Sequence, residues 1–159
     1  ATDACGNVFA STQLITVMKR ELELDIKPGS CPNAFNRRKR GVLPVALVGT
    51  PDFDPTTVDV TTLTLSRADG VGGSIPVLAG PTGPHVVLYD TATPFTGGGC
   101  DCHALEGDGI LDLMMFFSGP SVGALLPGFE RGDVIELVVG GTLLDGCEFV
   151  AYDCVTLAQ

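Results

Sequence analysis

The sequence predicts an all-β chain: an antiparallel β-sandwich, immunoglobulin-like or jelly-roll-like, with seven to nine strands and at most one short helical turn. Three observations carry this. The apolar residues, 45% of the chain, fall in short runs; clusters drawn from 21 Gly and 11 Pro separate those runs; and polar residues interrupt them with a period of two, not 3.6. A chain of 159 residues suits one domain. At that size about two thirds of the unfolded surface can be buried, so a core can form without staples.

The first strand is the end of "STQLITVMKRELELDI". Leu22, Leu24 and Ile26 alternate with Glu21, Glu23 and Asp25, which places the acids on the outer face. "KPGSCPN" is a loop of turn residues. "GVLPVALVG" is a buried strand whose Pro44 predicts an edge position or a bulge. "VDVTTLTL" puts Val58, Val60, Leu63 and Leu65 inward, which requires a bulge between the two pairs. "HVVLYD", "ILDLMMFF", "DVIELVVGG" and "CEFVAYDCVTL" complete the strands, and "SVGALLPG" is one helical turn. The sandwich is expected over residues 24–159. Residues 1–23 form an N-terminal extension, an extra strand paired at home or donated to a neighbour.

Nineteen acids against nine basic residues give a net charge of -10. Phosphate binding needs clustered Lys and Arg, so nucleic acid is not an expected partner. An acidic surface suits cations and solubility. No run approaches the length of a membrane span, so no membrane insertion is expected. Six cysteines mean metal ligands in a reducing cytosol or disulfides in a secreted chain, with the pairing open. The opening "ATDACGNV" suits a mature end left by leader cleavage.

The densest chemistry is "CDCHALEGDGILDL". Glu106, Asp108 and Asp112 occupy the third, fifth and ninth positions of a D-x-D-x-D-G-x-x-D calcium loop, with Gly109 at the turn. Alternate acids on a tight loop point at one hard cation, and the Ile110 carbonyl adds a ligand. Ala104 stands where the pattern has its first acid, and Asp90 or Asp101 can supply that oxygen from outside. A plain acidic turn is the alternative. "CDCH" lacks the two-residue spacer of haem attachment. Zinc is disfavoured because Cys100, Cys102 and His103 are too crowded for a tetrahedral array. His103 then reads as a bystander. Arg37, Arg38, Lys39 and Arg40 make a basic loop that is solvated, is cut by a processing protease, or docks on an acidic patch of another copy. There is no G-x-S-x-G, and the histidines are His85 and His103. No catalytic residue is assigned. A carboxylate-pair glycan-active enzyme is the residual enzymatic alternative.

"LDIKPGSCPNAFN", "KRGVLPVALVGTPDFDPTTVDVTTLTL", "YDTATPF", "CDCHALEGDGILDLMMFF", "ALLPGFERGDVIELVVGGTLLDG" and "DCV" follow one another between Leu24 and Leu157. In that order they resemble a recurrent, poorly characterised domain of secreted bacterial proteins. The resemblance implies an extracellular, calcium-associated β-sandwich without catalysis, often beside adhesion modules. It points to Asp90, Asp108, Gly109 and Asp112 around the ion. It also implies the bonds Cys31–Cys154 and Cys100–Cys102. Cys5 and Cys147 lie outside its pattern, and an extra pair added together is most simply Cys5–Cys147. The run "NRRKR", Ala104 and residues 1–23 depart from it. Three functions follow as expectations: a calcium-stabilised binding or adhesion module, a structural subunit that polymerises through its N-terminal strand, or a carbohydrate-binding or glycan-active protein. Partners are accordingly other copies of the chain, or a surface glycan or protein.

Overall fold

The computed structural model describes Cys5 and residues 19–159. Its strands are β1 (Arg20–Ile26), β2 (Ala34–Phe35), β3 (Val42–Leu47), β4 (Val58–Arg67), β5 (Ser74–Pro76), β6 (Ala79–Gly80), β7 (Gly83–Pro84), β8 (Val86–Tyr89), β9 (Asp112–Ser118), β10 (Val134–Leu143) and β11 (Glu148–Leu157). Among the described residues, helical structure is limited to a 3-10 turn, Pro55–Thr57, and a six-residue helix α1, Gly119–Ala124. The chain is therefore all-β.

The main sheet runs β5-β4-β10-β11-β1-β3-β9-β8, with β2 beside β11; β6 and β7 form a separate small ladder. It is mixed, not wholly antiparallel as expected: β1 and β2 both run parallel to β11. The cause lies in β1, which has two partners in succession. Arg20–Glu23 pair with Phe149–Tyr152 of β11, and Leu24–Ile26 then pair antiparallel with Leu47–Val45 of β3. One strand passing from one ladder to the next curls the sheet around the main core. Ile26, Val45, Leu65, Met115, Phe117, Leu137, Phe149 and Val155 all belong to it and are buried. Burying each such side chain contributes roughly 1.5–3 kcal/mol.

The described part of the N-terminal extension, residues 19–23, is continuous with the sheet, because β1 crosses position 24 without a break. The donated-strand expectation falls on residues 1–18, which, Cys5 excepted, lie outside the described residues.

Two local expectations change. Pro44 sits in an interior strand, paired with Phe116 of β9. Its carbonyl accepts from Lys27 N–H at 2.9 Å on the β1 side, just where β1 has ended and Lys27 turns to φ 55°. The missing proline N–H thus faces a place where no ladder bond is due. Asp25 is not on a solvated face but buried, 7% exposed, because the loop around residues 95–103 lies across it. In β4 the register jumps from Thr64 to Asp59 while β10 advances from Gly140 to Thr142. That irregularity lets Val58 and the Leu63, Leu65 pair all face the core.

Candidate functional site

The acidic loop is built by carboxylates acting on backbone N–H groups. Asp90 Oδ1 accepts from Asp108 N–H at 2.9 Å, and its Oδ2 accepts from Gly109 N–H at 2.7 Å. Asp108 Oδ1 accepts from Ile110 N–H at 3.0 Å. Gly107 packs so closely on Asp90 that a Cβ has no room, and Gly109 turns at φ 94°. Asp112 is wholly buried. Its Oδ1 accepts from Gly49 N–H at 2.9 Å, and its Oδ2 from Thr91 and Ala92 at 2.8 and 2.9 Å. Burial pushes its carboxyl above the usual range, against the pull of those three bonds.

Asp90 and Asp112 are engaged by the backbone. The Glu106 carboxylate and Asp108 Oδ2 are the loop oxygens with no hydrogen bond among the described residues. Asp112→Ala is expected to cost about 3 kcal/mol, since it strands three N–H donors around β9. Urea denaturation measures this, and a loss under about 1 kcal/mol would show that the donors find other acceptors.

The disulfides join Cys5 to Cys147, Cys31 to Cys102 and Cys100 to Cys154, with Cα separations of 5.3, 5.4 and 5.3 Å. The expected Cys31–Cys154 and Cys100–Cys102 bonds are thus replaced by an exchange of partners. A C-x-C bond closes a strained ring. The single intervening residue instead turns Cys100 toward β11 and Cys102 toward the loop after β1. Together the two bonds staple the 100–102 segment over both elements. Three disulfides point to an oxidising compartment, extracellular or periplasmic. No helix among the described residues is long and apolar enough to cross a membrane. Among those residues, one group of three acid, His or Cys ligand atoms lies within 4.8 Å: Cys100, Glu136 and Cys154. Its two sulfurs are bonded to each other, so it offers no thiolate.

Beneath the staple lies a second group of acids. Asp153 Oδ2 accepts from Ile26 N–H at 2.7 Å and from Asn33 Nδ2 at 3.1 Å, and its Oδ1 accepts from Cys154 N–H at 2.7 Å. Asn33 Nδ2 also donates to the Cys154 carbonyl at 3.0 Å. Asp25 Oδ2 and Asn33 Oδ1 are buried without a partner. Burial, then the charges of Asp153 and Asp112, push the Asp25 carboxyl up to about 7. Burial also raises Asp153, opposed by its hydrogen bonds and by His103.

Asp25, Asn33 and Asp153 line a cavity of about 20 Å³, closed by Phe95, Asp101, Cys102 and His103. It shares Leu24, Phe95, Asp101 and Asp153 with a cleft of about 370 Å³ whose other walls include Glu21, Glu23, Glu136 and Tyr152. Among the described residues, no basic side chain lines that cleft. His103 is thus a wall of this cavity, with Nδ1 accepting from Leu105 N–H at 3.1 Å. Sequence reasoning missed the group because alternation put Asp25 outside and "KPGSCPN" read only as a turn. The available signal was position: Asn33 and Asp153 lie two residues and one residue from cysteines.

The basic loop is split. Arg37 donates to the Leu126 carbonyl at 2.9 Å, while Arg38, Lys39 and Arg40 are exposed. His85 lies against Phe116, ring centroids 4.6 Å apart. Comparison with family models, curated proteins and solved structures finds no match to this chain.

Proposed function

We propose that the chain is a secreted, disulfide-bonded structural or adhesive module, a β-sandwich in which the curled sheet supplies both layers, without catalysis and able to self-assemble. One observation carries this. β8 ends the main sheet and has no neighbour on its outer side among the described residues, and its Val87, Leu88 and Tyr89 are 46%, 41% and 64% exposed. An unpaired, apolar edge is a template for strand addition. A segment given by one copy to the next makes a contact that need not close, so it builds a filament. The N-terminal segment is the donor in this reading. The exposed Arg38, Lys39 and Arg40 of one copy complement the acidic cleft of another.

Calcium belongs to the same reading. The outer loop offers Glu106, Asp108 and the Ile110 carbonyl to an ion, with Asp90 and Asp112 holding the backbone around them.

Negative-stain images of the purified chain are expected to show filaments. A form lacking residues 1–18 and carrying Cys147→Ser, which leaves no odd thiol, is expected to fold and stay monomeric. Filaments from that form would sink strand donation. A carbohydrate-binding reading rests on Phe95 and Tyr152 beside the carboxylates of the cleft. Glycan-array binding lost in Tyr152→Ala would favour it.

A further inference from the structure

We infer that Asp25, Asn33 and Asp153 form a buried calcium site, separate from the outer acidic loop and capped by the disulfide-stapled Cys100–His103 segment. The inference does not depend on self-assembly, nor on an ion in the outer loop.

The donor set is made of oxygens of the kinds a hard cation takes. Asp25 and Asp153 bring two carboxylates. Asn33 brings an amide oxygen, and its orientation is fixed. Its Nδ2 donates both to Asp153 Oδ2 and to the Cys154 carbonyl. The reverse orientation would set an oxygen against two acceptors. Oδ1 is thereby left unpartnered, in a residue that is 3% exposed and lines the cavity. Asp25 Oδ2 is the second unpartnered oxygen there, in a residue 7% exposed. Two unpaired buried acceptors and two acids are costly together without a positive partner. Among the described residues, no Lys or Arg lines the cavity, and His103 is the one basic side chain in its wall.

Size and access agree. The space of about 20 Å³ suits a single ion or water. The adjoining cleft adds Glu21, Glu23 and Glu136, so the field along the approach favours cations. The ligands come from β1, from the loop before β2 and from β11, so a bound ion would tie together three parts of the chain. Cys31–Cys102 and Cys100–Cys154 anchor beside two of those ligands and hold the cover in place.

The test uses the full chain, disulfides intact, stripped with EDTA. Added calcium at 1 mM is expected to raise Tm by about 5 °C. Asp108→Asn, which disables the outer loop, should keep a shift, and adding Asp25→Asn to that variant should abolish it. No shift in the wild type, or a shift in Asp108→Asn that survives the addition of Asp25→Asn, overturns the site; the first result would mean that the cavity holds only water or a shared proton. A shift lost in Asp108→Asn and kept in Asp25→Asn also overturns it, while supporting an ion in the outer loop. Should Asp25→Asn not fold, a terbium soak of wild-type crystals decides. An anomalous peak within about 2.6 Å of Asp25 and Asn33 Oδ1 supports the site, and its absence there overturns it.

Discussion

In the presence of chelator, Asp25→Asn is expected to stabilise the protein above neutral pH by on the order of 3–4 kcal/mol. Burial pushes the folded carboxyl up to about 7, against an ordinary value of 3.8. Between those values the native state holds a proton that the unfolded chain has released. Unfolding therefore sheds a proton, and stability falls as pH rises. The contribution is fully present below the unfolded value and is lost once pH passes about 7. Asn resembles the protonated acid in shape and carries no charge, so the variant should lack this slope. Asp112 and Asp153 are raised as well and slope the same way, whereas Asp54 and Asp69 are lowered and oppose them. The informative quantity is thus the difference between variant and wild type. Urea titrations from pH 4 to pH 8 measure it. Parallel curves would show that Asp25 is solvated and ionised at little cost.

Removing the Cys100–Cys154 bond by paired serine substitution is expected to destabilise the domain by about 4 kcal/mol. The bond spans 54 positions, and without it the unfolded chain regains the entropy of an open loop of that length. For a domain of ordinary marginal stability this is a large share of the total. A second effect follows from place. With the staple cut, water reaches Asp25 and Asp153, and the pH slope described above should shrink toward that of a solvated acid. Thermal melts at two pH values read both effects. A non-reducing peptide map checks the connectivity, and a peptide linking Cys31 to Cys154 would refute it.

The strands were legible because each carries its own period and its own turn residues. "ELELDI", "VDVTTLTL" and "CEFVAYDCVTL" declare themselves within ten residues or so. What spans the chain was not. Alternation gives two faces to β1, but not what covers each, so Asp25 looked solvated until the 95–103 loop was seen above it. The calcium spacing of Glu106, Asp108 and Asp112 reflects a turn whose acids must point alternately. The same alternation serves equally to accept backbone N–H bonds, and for Asp90 and Asp112 it does. Disulfide partners were illegible for a related reason. Cys100 and Cys102 are neighbours in sequence, but one residue is enough to aim them at different strands. The parallel pairing of β1 with β11 joins residues over a hundred positions apart, beyond any local period.

The Cys5–Cys147 bond also sets how the molecule carries load. Tension entering at Cys5 and leaving beyond Cys154 passes through the sulfur bridge to Cys147 and then along β11. The chain between Cys5 and Cys147 lies outside that covalent path and cannot be drawn out as slack. A pulled copy would gain little length along this path, because β11 already holds it extended. Linked end to end, such units would behave as short, stiff tethers in which β11 carries the pull.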